Sequence, residues 1–374
     1  MRIGIDCRKI FDPIKNTGAG VERYTFNLVK NLIELDEEND YVLFIPAAYS
    51  KNALDILIKD GGRAQVRKIR SGKMPFWSRH LKFSFQLYRA KLDLALFPAN
   101  IIPIGYAKRS FVFVHDLIIY KHPEWFPTGQ FFSKKVLVPL SLKKAEKIIA
   151  ISQATKKDLI QLFRAQGKKI EVVYPSVDIY PEIDPRAEEK AKQKFNLEKR
   201  YLFFVGTLEP RKNLVNLIKA FKKVLREFPD VDLYLAGNVG WHYEKIIGAA
   251  ASARGKSNIK FLGAVTNLEK LVLMKNCSVF VFLSWDEGFG MPVLEAMKVG
   301  VPIVTSAAGG LGELISDNRQ IAAPGDINDI AQKIKNLLAD QELRRNIIEK
   351  QKKWSENFSW RYSAQKLLKI IQGK

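Results

Sequence analysis

The 374-residue sequence predicts an α/β protein made of two doubly wound, parallel-sheet domains. Short apolar strands alternate with helical patterns through the first half. A proline- and charge-rich interval from 175 to 200 breaks that rhythm, and a second strand–helix series starts at Tyr201. Strands that alternate with helices pair in parallel, because each crossover helix covers a face of the sheet. An apolar content of 47% with 11% aromatics excludes a disordered chain. No stretch approaches the roughly 18 consecutive apolar residues of a membrane span.

In the first series, strands are expected at Arg2–Cys7, Tyr41–Ile45, Gln65–Ile69, Leu92–Phe97, Phe111–His115, Lys147–Ile151 and Glu171–Tyr174. A helix is expected over Val21–Leu35, where Val21, Tyr24, Leu28 and Leu32 share one face. Pro175, Pro181 and Pro185, then a charged run from Arg186 to Lys194, read as an interdomain connection carrying a short helix. The second series places strands at Tyr201–Val205, Val231–Ala236, Ile259–Leu262, Ser278–Leu283, Pro302–Thr305 and Gln320–Ala323. The expected domains are therefore 1–180 and 195–356. Two such units joined by a linker bring two loop faces together, and ligands bind where such faces meet.

Cys7 and Cys277 lie in different halves within apolar patterns, which suits buried thiols in a reducing cytoplasm. The N-terminus runs straight into a strand, so no signal peptide is expected. The four histidines show no metal-ligand spacing. The net charge is +22, and residues 61–91 concentrate nine Lys or Arg without one acid. Phe76, Trp77, Phe83, Phe85 and Tyr88 are interleaved with them. That mixture suits an anionic membrane surface, nucleic acid, or a soluble helix with its aromatics turned inward.

Chemistry concentrates in Glu287-Gly-Phe-Gly-Met-Pro-Val-Leu-Glu295, which follows the apolar run Cys277–Ser284. A buried strand, a glycine turn and a helix opened by Pro292 form a βα unit with its loop at the carboxyl end of a sheet. Gly288 and Gly290 allow close approach of a ligand, and the helix start offers N–H groups to an anion. Glu287 lies on the loop. Glu295 lies about one turn inside the helix, where a carboxylate can accept two hydrogen bonds from a ribose diol. Phosphate, ribose and a second polyol together describe a nucleotide-sugar. The alternative is a solvated helix face with a loop charge.

With the stretch from Glu287 to Ala296, the chain resembles glycosyltransferase family 4, and matching landmarks run from Gly18 to Trp360. The resemblance implies the GT-B fold, two Rossmann-like domains facing each other across a cleft, and retaining transfer from a nucleotide-sugar. It also implies that the C-terminal helix, 357–374, crosses back onto the N-terminal domain. The common family form has isoleucine where this chain has Ala19, and Pro-Ser where it has Leu283-Ser284.

Gly206-Thr-Leu-Glu-Pro-Arg211-Lys212-Asn213 follows a strand and precedes a helix. Arg211 offers a rigid fork to phosphate oxygens and Lys212 a compact charge. Cations beside the positive end of a helix are costly without an anion. They match the family's phosphate-binding pair and stand where a metal would otherwise serve, so no metal and no cofactor are expected. Asp230-Val-Asp232 spells a metal–diphosphate motif of another architecture but begins a strand, and reads as a strand-start charge pair.

Gly20, in the loop Asn16–Tyr24, precedes a helix start and can face a phosphate or acceptor; an ordinary turn is the alternative. His115-Asp116 ends a buried strand where α/β enzymes place reactive groups. The family has an important His here, so His115 is the candidate to hold the donor sugar's hydroxyl, with Asp116 orienting the loop or the ring. The resemblance further assigns Val265 to the base and Phe289, Gly290, Met291 and Pro292 to sugar and phosphate through backbone amides. Glu313 fits either a family position or a helix cap. Members of the family are thought to react on the front face, with Glu287 positioning sugar hydroxyls.

The expected catalytic set is thus His115, Glu287, Arg211 and Lys212. The expected donor set is Gly20, Gly206, Arg211, Lys212, Val265, Glu287, Phe289, Gly290, Met291, Pro292 and Glu295. Tyr174-Pro-Ser-Val-Asp178 beside the His115 motif looks most like bacterial mannosyltransferases, which makes GDP-mannose the first donor and leaves UDP-glucose open. A saccharide or lipid-linked acceptor in surface polysaccharide assembly is expected, with a cytoplasmic location at the inner membrane face through 61–91. Nucleic acid is not an expected partner. An epimerase of the same fold and a basic nucleic-acid-binding module are the competing readings.

Overall fold

The computed structural model describes residues 1–15, 18–58, 63–70, 76–127, 133–177, 183–251 and 256–373. Asn16, Thr17, Lys73, Asp178, Pro181 and the side chain of Phe76 lie outside them. The chain divides into two compact units. One comprises Met1–Tyr120, Thr128–Ser176 and Phe358–Lys374, the other Lys121–Pro127 and Val177–Asn357.

The first unit holds β1 (Arg2–Asp6), β2 (Asp40–Pro46), β3 (Ala64–Ile69), β4 (Leu94–Phe97), β5 (Ser110–Val114), β6 (Lys147–Ala150) and β7 (Ile170–Val172). They form one parallel sheet in the order β3-β2-β1-β4-β5-β6-β7. The chain first winds one way from β1 and then the other, so the strand order reverses between β1 and β4. At such a reversal the connections diverge and leave a crevice at the carboxyl ends. The Gly20–Leu35 helix buries Tyr24, Leu28 and Leu32. The C-terminal helix Trp360–Ile371 packs beside it, with Trp360 edge-on to Tyr24 at 5.5 Å and Ser363 Oγ donating to Tyr174 O at 2.6 Å.

The second unit repeats the plan with β8 (Tyr201–Val205), β9 (Asp232–Ala236), β10 (Ile259–Gly263), β11 (Val279–Phe282) and β12 (Ile303–Thr305). The parallel order is β10-β9-β8-β11-β12, with its reversal between β8 and β11. All residues of β11 are buried, as expected of a strand covered on both faces, and Phe282 stacks on Phe204 at 5.7 Å.

Two expectations change. Gln320–Ala323 makes a single bridge from Ile321 to Thr305 and no strand. A 3-10 turn, Asn318–Gln320, precedes it and Pro324 follows, which leaves no length for a ladder. The Pro185–Phe195 helix, read as part of a linker, packs into the second unit. Lys194 pairs with Glu269 at 2.6 Å and Lys275 with Glu188 at 3.2 Å.

Candidate active site

The loops after β8 and β11 leave the second sheet at its reversal point, and there the charged side chains meet. Gly206 follows β8, and its N–H donates to Ala236 O at 3.0 Å. A Cβ on the neighbouring Gly237 would lie 2.0 Å from the Gly206 carbonyl, so only glycine lets the two loops pass. The chain then makes a 3-10 turn, Pro210–Lys212, and turns into the Leu214–Val224 helix through the left-handed Asn213. Lys212 is buried beneath the turn with its ammonium 4.8 Å from the Phe282 ring centroid.

Both cations close on Glu287. Lys212 Nζ lies 2.5 Å from Oε1 and Arg211 Nη1 lies 2.6 Å from Oε2, while Ser284 Oγ donates to Oε1 at 2.7 Å. Arg211 also forks onto Glu209 through Nε at 3.0 Å and Nη2 at 2.7 Å. Burial opposes the Glu287 charge, but Lys212, Arg211 and the Ser284 hydroxyl outweigh it and bring its pKa from 4.5 down to about 2. Burial lowers the Lys212 pKa, with Glu287 opposing. Arg211 and Lys212 thus share Glu287, and Arg211 also reaches Glu209.

The helix Met291–Val299 starts from Gly290, at φ 102°, where a Cβ would sit 2.3 Å from Leu311. Met291 is its first residue, so Pro292 stands second; lacking an N–H, Pro292 shapes the turn and cannot supply the amide assigned to it. The amides of Gly290 and Met291 precede the first intrahelical bond and serve an anion best. The Phe289 side chain is buried in the core. Glu295 lies one turn further on, paired with Lys270 at 2.5 Å. Lys270 escaped the sequence reading; its place four residues after the Thr266 cap that follows Val265 was the available signal. Val265 lies half-buried between β10 and that cap. Glu313 ends the 3-10 segment Gly309–Glu313, where its carbonyl accepts from Trp354 Nε1 at 3.2 Å. Asp230 pairs with Arg200 at 2.9 Å and Asp232 with Lys260 at 2.9 Å, so the two carboxylates serve different cations.

In the first unit His115 follows β5 and is buried, with its ring edge-on to Tyr24 at 4.9 Å. Nε2 lies 2.6 Å from Pro98 O. A carbonyl only accepts, so Nε2 carries the hydrogen and Nδ1 keeps a lone pair for a hydroxyl. Burial lowers the His115 pKa against the pull of the Pro98 carbonyl, which keeps the ring neutral at pH 7. Asp116 accepts from Ile118 N at 3.3 Å and so holds the loop; Pro98 orients the ring. Gly20 opens its helix behind Ala19, whose N–H donates to Glu22 Oε2 at 3.1 Å.

Two doubly wound parallel-sheet units in one chain are the plan of the GT-B fold. Residues 18–180 match the family described as Glycosyltransferase Family 4, and residues 185–354 match Glycosyl transferases group 1. The chain belongs to these glycosyltransferases. It is 26% identical over 369 residues to O-antigen chain mannosyltransferase B of Escherichia coli, covering 93% of this chain and 94% of that one. It is 28% identical over 259 residues to the serotype-specific mannosyltransferase WbdA of Escherichia coli, covering 67% of this chain and 32% of that one. The fold matches that of Anabaena Alr3699/HepE in complex with UDP and glucose, with a TM-score of 0.78, 20% identity and 100% of both chains covered.

Proposed function

We propose that this glycosyltransferase moves a hexose, mannose first, from a nucleotide-diphosphate sugar to a saccharide or lipid-linked saccharide during surface polysaccharide assembly, with retention at the anomeric carbon. The carrying observation is the convergence of Arg211, Lys212 and Glu287 at the reversal point of the second sheet. A leaving nucleoside diphosphate gains charge in the transition state, and fixed cations are the groups that stabilise it. Arg has five N–H donors and Lys three, so each can hold Glu287 and still reach a phosphate oxygen. These side chains perform the electrostatic task, so the reading assigns no metal and no cofactor. GDP-mannose is the first donor because two relatives carry mannosyltransferase names; UDP-sugars follow from HepE.

Both oxygens of Glu287 are engaged and its pKa is about 2, which makes it a weak nucleophile and a weak base. The reading therefore favours the front-face route. In it a donor phosphate oxygen takes the acceptor proton, Glu287 fixes the cations, and His115 Nδ1 receives a sugar hydroxyl. Glu295 receives the ribose diol, with Lys270 holding the carboxylate. Gly206, Val265, Gly290 and Met291 complete the donor contacts.

Attachment to the inner face of the cytoplasmic membrane is assigned to 61–91. Among the described residues no helix is long and apolar enough to cross a membrane. The Phe76–Arg89 helix instead exposes Trp77 (53%), Leu81 (57%) and Phe85 (60%) in a row, beside cations suited to anionic lipid. The soluble-helix alternative has its aromatics inward, and of those with described side chains only Phe83 is buried.

A thermal-shift panel of GDP-, UDP- and ADP-sugars tests the donor, since a ligand at a hundred times its Kd adds about 2.7 kcal/mol. Release of the nucleoside diphosphate must then depend on an added saccharide acceptor. No shift with any sugar nucleotide contradicts the reading, and an epimeric product without acceptor favours the epimerase.

A further inference from the structure

A cavity of about 480 Å³ in the first unit has no part in the donor chemistry above. It opens at the carboxyl ends of β1, β3 and β4, beside the reversal of strand order, where open α/β sheets bind ligands. Its volume is in the range of small-molecule sites. Arg8, Lys9, Lys68, Arg70, Arg79 and Lys82 line it. Asp6 is the one acid among its described lining residues, and it is taken up by Arg8 at 2.8 Å. The Arg8 guanidinium also lies 3.6 Å from the ring centroid of Phe83, which fixes it in the wall. Among the described residues, the other five cations have no carboxylate partner. Like charges gathered around one hollow repel one another, and an anion with several oxygens relieves that repulsion. A second hollow lined by Arg67, Lys68 and Arg89 extends the basic lining.

The Phe76–Arg89 helix supplies Arg79, Lys82 and Phe83 to this cavity from one flank, and presents Trp77, Leu81 and Phe85 to solvent from another. A compact polyanion and an apolar chain are thus offered neighbouring places by a single helix. We infer that the cavity binds the diphosphate of a lipid-borne acceptor, whose hydrocarbon runs toward the exposed apolar row. This rests on the reading of the chain as a transferase with a lipid-linked acceptor, and it places that acceptor's charged group.

Farnesyl diphosphate is the probe, titrated against the full chain beside farnesol and inorganic pyrophosphate. Lys68→Gln with Arg79→Gln removes two exposed cations and leaves the core intact. The double variant is expected to bind farnesyl diphosphate at least about tenfold more weakly, with its GDP- and UDP-induced thermal shifts unchanged. Farnesol and pyrophosphate are each expected to bind wild type more weakly than farnesyl diphosphate. Equal binding by the double variant, or by either control compound, overturns the inference. Loss of nucleotide binding by wild type strikes the donor reading alone, so the two failures are separable.

Discussion

Replacing Glu287 by Gln removes one charge and leaves two cations facing a neutral amide. The carboxyl's fall from 4.5 to about 2 corresponds to roughly 3 kcal/mol of stabilisation, at about 1.4 kcal/mol per pH unit. Breaking a buried ion pair by removing one partner costs about the same, 3–5 kcal/mol, because the surviving charge stays desolvated. Native-state hydrogen exchange of the β11 amides, Val279–Phe282, reads the opening of the second unit directly. At pH 7 the variant is expected to lose about a hundredfold in protection. Glu287 is protonated near 4.5 when unfolded and near 2 when folded, so its contribution is complete above 4.5. It drains away as pH falls toward 2, and the gap between wild type and variant should narrow over that interval. Equal protection at pH 7, or a gap that does not shrink with acid, refutes the argument.

Glu295→Ala is expected to weaken GDP and UDP binding and to abolish any preference for ribose over deoxyribose diphosphates; Lys270→Ala should weaken binding less. Titration calorimetry with the paired nucleotides checks both, and unchanged affinity removes the ribose assignment. Trp77→Ser with Phe85→Ser should reduce retention on anionic vesicles at low ionic strength while leaving the melting temperature within about a degree, since both side chains are exposed. Equal retention dismisses the apolar row as an anchor.

The strand–helix alternation was legible because parallel strands are covered on both faces and read as unbroken apolar runs. Gln320–Ala323 has such a run but is cut short by Pro324, and composition alone does not show that a ladder will stop after one bridge. Glu287, Arg211 and Lys212 were each visible beside a glycine turn, and each was assigned to a ligand. That they hold one another follows from β8 and β11 being neighbours, a fact of strand order that periodicity does not carry. Lys270 was hidden because its pairing with Glu295 joins the two helices on either side of β11, and periodicity does not show that contact. In the Phe76–Arg89 helix the interleaving of aromatics and cations was plain. Which ring turns inward is decided by the partner surface, and among the rings with described side chains Phe83 is the buried one, edge-on to Phe44 with ring centroids 5.4 Å apart.

In the proposed function, side-chain cations of the second unit grip a nucleoside diphosphate. Equilibrium binding of GDP and UDP in the presence of EDTA, by wild type and by Arg211→Gln, tests it most directly. Wild type should bind at least one of them with the chelator present, and the variant should bind it at least about tenfold more weakly. Binding that requires added magnesium, or that is indifferent to Arg211, contradicts the account.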